Sequence, residues 1–68
     1  MKIKHLYNAD KEQVALAFFH RKNATVDIRY IDKMQNADET IEFNEFEEYK
    51  GRFELCTEDE LGQGAFDL

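Results

Sequence analysis

Apolar and polar residues alternate over three stretches of this chain and run together over a fourth, and that contrast sets the first expectations. Thr25 to Ile31 reads Thr-Val-Asp-Ile-Arg-Tyr-Ile. This turns Val26, Ile28 and Tyr30 to one side and Asp27 and Arg29 to the other, the period-two pattern of a half-buried strand. Lys2 to Tyr7 alternates more loosely, with Ile3, His5 and Tyr7 on one face and Lys4 and Leu6 on the other. Glu39 to Phe43 resumes the alternation with Ile41 and Phe43 inward. Across the polar connector from Asp32 to Asp38 it is expected to form an antiparallel hairpin with the Thr25 strand.

The fourth stretch, Val14-Ala15-Leu16-Ala17-Phe18-Phe19, is apolar at consecutive positions. Asn8 or Asp10 is a candidate cap before it, Asp10 and Gln13 having capping-box spacing, while Arg21, Lys22 and Asn23 make a plausible helix end after it. Read this way, the segment from Asp10 to about Lys22 is the main helix, with a wide buried face laid across a sheet.

Asn44 and Glu47 form a second capping-box pair, and Gly51 reads as a terminator, so one or two helical turns are expected between them. A bulged, continuous strand is the competing reading of Asn44 to Lys50. Arg52 to Cys56 places Phe53 and Leu55 on one face and reads as a final strand, after which Thr57 and Glu60 can cap a last turn. The expected fold is α+β: one main helix packed on a small, mostly antiparallel sheet of three to four strands, in the order β-α-β-β-short helical turn-β. Residues 1–61 are expected to form a single compact domain and 62–68 a mobile tail, because Gly62 and Gly64 loosen the end.

Composition supports a folded chain. Of 68 residues 43% are hydrophobic, with six Phe and three Tyr, enough bulky material for one core and only one. There is no Pro and no internal repeat. Cys56 is the single cysteine, so no intramolecular disulfide staples the fold, and a cytoplasmic setting is expected. The basic start, Met1 to His5, is followed by no apolar run of signal-peptide length, and Val14 to Phe19 is far too short to span a bilayer.

Charge adds an asymmetry to this picture. Residues 1–35 carry seven Lys or Arg against four Asp or Glu, and residues 36–68 carry two against eleven, within a net charge of -6. Phosphate repulsion disfavours direct nucleic-acid binding through the acidic half, so the expected counterpart is a protein with a basic surface.

The chain offers little catalytic chemistry. It contains no Ser and no Gly-rich phosphate loop, and no paired Cys or His spacing for a metal. No enzyme activity, cofactor or metal is expected; Cys56 with His5 or His20 is the one nucleophilic combination to consider. The candidate partner-binding residues are Glu42, Glu45, Phe46, Glu47, Glu48, Tyr49 and Glu54, acids gathered around two aromatics three apart. The plainer readings are a solvated acidic face and two core aromatics.

The expected function is therefore non-enzymatic: a small acidic module that docks its C-terminal half on a basic site of a nucleic-acid-processing protein, as an inhibitor or regulator, with nucleic-acid mimicry as one mode. Its size and acidity are similar to those of accessory proteins made by phages and mobile elements. The alternative is a small homo-oligomeric structural or regulatory subunit, a homodimer for example, joined through sheet edges or exposed aromatics. The last six residues, Gln63 to Leu68, have a Gln-x-x-apolar-x-apolar spacing that loosely resembles the bacterial sliding-clamp-binding peptide, with Phe66 and Leu68 in swapped order. A frayed end, or a tail folded back on the core, is the other expectation for them.

Overall fold

The structure, a computed structural model, describes residues 2–34 and 36–64, without the side chains of 62–64. Its strands are β1 (Lys2–Tyr7), β2 (Gln13–His20), β3 (Thr25–Tyr30), β4 (Glu39–Glu42) and β5 (Cys56–Thr57). All pair antiparallel in one sheet of order β4-β3-β2-β1-β5. A 3-10 turn, Phe43–Glu45, runs directly into α1 (Phe46–Phe53), and α2 (Glu58–Gly64) follows β5. Residues 65–68 and the clamp-like spacing that depends on them lie outside the described residues.

The expected main helix is a strand. In place of a helix from Asp10 to Lys22 the chain makes a hairpin loop and then β2, the central strand of five. The candidate capping residues serve the loop: Asn8 Oδ1 accepts the backbone N–H groups of Asp10 and Glu12 at 2.9 and 3.0 Å, and Lys11 sits at φ 66°. A central strand is flanked by neighbours on both edges and carries apolar residues toward both faces, so an unbroken apolar run suits it as well as it suits a buried helix. What decides is pairing, since β2 satisfies the backbone of β1 on one side and of β3 on the other.

The other helical expectations change in consequence. The sheet has five strands, and the segment left open between helix and strand is the 3-10 turn and α1. Gly51 does not end α1. Glu54 does, in the left-handed region at φ 56°, with Leu55 N–H donating to Lys50 C=O at 2.8 Å and Glu54 N–H to Gly51 C=O at 3.3 Å. Arg52 and Phe53 therefore belong to the helix, and the final strand shrinks to Cys56 and Thr57, which pair with Tyr7 and Leu6. Thr57 and Glu60 do form a capping box on α2, with Thr57 N–H donating to Glu60 Oε1 at 2.8 Å and Glu60 N–H to Thr57 Oγ1 at 3.4 Å.

The core lies on one side of the sheet. Leu6, Ala15, Ala17, Val26, Ile28, Tyr30 and Ile41 share that face and are closed over by Phe46 and Tyr49 of α1. Small residues in the middle of β2 leave room for these rings. Phe19 meets the Phe46 ring edge to face at 5.0 Å, and the hydroxyls of Tyr30 and Tyr49 bond to each other inside the core. Two buried phenols thereby satisfy one another.

Candidate functional site

Building from the sequence-predicted residues, the structure separates them into two groups. Phe46 and Tyr49 face the sheet, 6% and 1% exposed, and anchor α1 to the core. Glu42, Glu45, Glu47, Glu48 and Glu54 are all exposed. Glu42 closes β4, and its backbone N–H donates to Glu45 Oε1 at 3.0 Å, which turns the chain into the helix. Glu47 and Glu48 occupy the first turn of α1, where negative charge complements the helix dipole. At about 1.5 Å per residue, the helical layer spaces Glu45 to Glu54 over about 14 Å along its axis.

One buried charged side chain escaped the sequence reading. Lys50 is 6% exposed, a rare burial for an ammonium. Its Nζ meets Glu60 Oε2 at 2.7 Å and Glu47 Oε1 at 3.3 Å and lies 5.1 Å from the centre of the Phe46 ring. Burial pulls its pKa down, but Glu60 and Glu47 more than offset that and hold it above the usual lysine value. Glu60 is correspondingly held below the usual carboxylate range, first by Lys50. The i,i+3 spacing of Glu47 and Lys50 was a legible signal; the tie to Glu60 on another helix was not.

The remaining polar chemistry is structural in its geometry. His20 Nε2 lies 2.8 Å from Asp27 Oδ2, across the β2–β3 pair, and Thr40 Oγ1 donates to Asp27 Oδ1 at 2.7 Å. The Thr40 bond, then His20, lowers the Asp27 pKa. Cys56 is half-buried in β5 and bonds neither histidine among the described residues. Among those residues no group of three or more His, Cys, Asp or Glu side chains could hold a metal ion, and no helix is long and apolar enough to cross a membrane. A groove of about 870 Å³ opens where the helical layer leaves one corner of the sheet uncovered, with Phe19, Phe43 and Phe46 among its lining and Lys2, Lys4 and Arg21 beside them.

Among the described residues, the opposite face of the sheet carries no helix. Strand alternation places Ile3, His5 and Tyr7 of β1, Leu16, Phe18 and His20 of β2, and Asp27 and Arg29 of β3 on it, in cross-strand rows such as His5–Leu16–Arg29 and Ile3–Phe18–Asp27. Ile3 is 48% exposed, and the Arg29 guanidinium lies over the Phe18 ring at 5.8 Å.

These features define a class by architecture alone: a two-layer α+β domain with an acidic helical side and an open sheet face. No protein-family model, curated protein or solved structure matches the chain.

Proposed function

We propose that this chain is a non-enzymatic binding module that docks the acidic side of its helical layer on a basic surface of a protein partner, of the kind nucleic-acid-processing proteins present. The observation that carries the reading is the arrangement of Glu45, Glu47, Glu48 and Glu54, all exposed on the helical layer, with Glu47–Lys50 the one ion pair among them in the described residues; Glu42 closes β4 on the opposite face of the sheet. Like charges held this close repel one another, and a basic partner relieves the repulsion. Phe46 and Tyr49 support the site from beneath by fixing α1, and recognition is electrostatic.

The test compares three immobilised proteins in a cell lysate: the natural chain, a variant with Glu45, Glu47, Glu48 and Glu54 all changed to Gln, and a control carrying Asp10→Asn and Glu12→Gln. A partner held by the natural chain and the control, lost by the fourfold variant, and released between about 0.1 and 0.5 M salt meets the expectation. Displacement of that partner by duplex DNA would add nucleic-acid mimicry. Undiminished capture by the fourfold variant overturns the reading.

A further inference from the structure

We propose that the open face of the sheet is a dimer interface on which a second copy of this chain packs, sheet to sheet, with the acidic helices turned outward. The proposal goes beyond the docking of the acidic side and uses the other surface of the molecule.

Three observations point to a second copy. The first is apolar content. Ile3, Tyr7, Leu16 and Phe18 lie side by side on β1 and β2 with no helix above them among the described residues; Ile3 is nearly half exposed and the other three are partly exposed. Beside them His5 Nδ1 is withdrawn from solvent and has no hydrogen-bond partner among the described residues, a poor arrangement for a face built only to meet water.

The second is charge. A chain of net charge -6 repels its own copies over most of its surface. On the open face, in contrast, the ionised groups nearly balance. Asp27 is engaged by His20 and Thr40, Arg29 lies over Phe18, and Glu42 stands at the corner where β4 ends. Packing open face on open face keeps Glu45, Glu47, Glu48 and Glu54 of the two copies on opposite outer sides.

The third is size. At about 3.3 Å per residue and 4.8 Å per strand, the sheet covers a flat area of roughly 400 Å². With side-chain relief, two copies bury about 1,000 Å², where specific interfaces begin. Two antiparallel sheets stack about 10 Å apart at about -30°, and a two-fold axis near Leu16 and Phe18 lays the apolar strips of both copies against each other. A chain whose sheet is covered on one face only also gains stability from the second layer.

Sedimentation of the natural chain from about 1 to 500 μM tests this, a range wide enough to catch the weak association of a small interface. The expected result is a monomer–dimer equilibrium whose dissociation constant rises at least about tenfold on Ile3→Glu and more on Phe18→Glu, with an unchanged circular dichroism spectrum for Ile3→Glu. The variant with Gln at Glu45, Glu47, Glu48 and Glu54 should dimerise at least as well as the natural chain, which separates this proposal from the docking of the acidic side. A natural chain that stays monomeric throughout, or a dimer indifferent to both open-face substitutions, overturns it. So does a single-stranded oligonucleotide that binds the monomer and is lost on Phe18→Glu, because the face would then serve nucleic acid.

Discussion

The two faces of the sheet are built from the same strands and have opposite fates. On the covered face, small and β-branched residues such as Ala15, Ala17, Val26 and Ile28 are completely buried beneath Phe46 and Tyr49. On the open face, larger residues such as Leu16, Phe18 and Tyr7 keep part of their surface in solvent. Residue hydrophobicity does not separate the faces. Coverage by an eight-residue helix does, and it places the stability of the domain on one side while leaving apolar surface available on the other.

The largest effect that would break this comparison is core truncation. Ile28→Ala, or Leu6→Ala, should cost about 2–5 kcal/mol in urea denaturation. Leu16→Ala on the open face should cost under about 1 kcal/mol when measured on dilute monomer. Equal losses on both faces would mean that the open face already has a cover within the monomer.

A smaller effect sharpens the role of the helical layer. Lys50→Met keeps the packing and leaves Glu60 without its cation, which should cost about 1–2 kcal/mol at neutral pH. The pH dependence has a definite sign. Glu60 and Asp27 both titrate below their ordinary values when folded, through Lys50 and through Thr40 with His20 respectively. Their contribution is therefore present above about pH 4 and is lost as the pH falls through the depressed values. Acid titration by circular dichroism should show this loss, and Lys50→Met should flatten the part belonging to Glu60.

The smallest effects concern the backbone of α1. A methyl group at Gly51 meets nothing within 4 Å, so Gly51→Ala should raise stability by about 0.5–1 kcal/mol. Glu54 holds a left-handed conformation that Gly adopts without strain, and Glu54→Gly should add a similar increment of about 0.5–1 kcal/mol. Thermal melts of the two variants and their combination check both.

Much of the sheet was legible because its signal is local. The side-chain period of two in Thr25–Tyr30 marked Val26, Ile28 and Tyr30 as core residues and Asp27 and Arg29 as outward, and β3 has that arrangement. The candidate site was legible in part: the acids are exposed where expected, whereas Phe46 and Tyr49 took the core alternative. Where special backbone angles arise without Gly, at Lys11, Ala24 and Glu54, composition held no cue.

The sequence by itself determined β1, β3 and β4 as far as Glu42, the capping box of Thr57 and Glu60, and the charge asymmetry between the two halves, because each depends on neighbours a few residues apart. Only the tertiary structure decided that Val14 to Phe19 is the central strand, that Lys50 is buried against Glu60, and which face of the sheet stays open. A run apolar on every position has no period of its own, so the free energy of pairing with β1 and β3 chose its conformation. The burial of Lys50 likewise depended on a helix ten residues further along the chain.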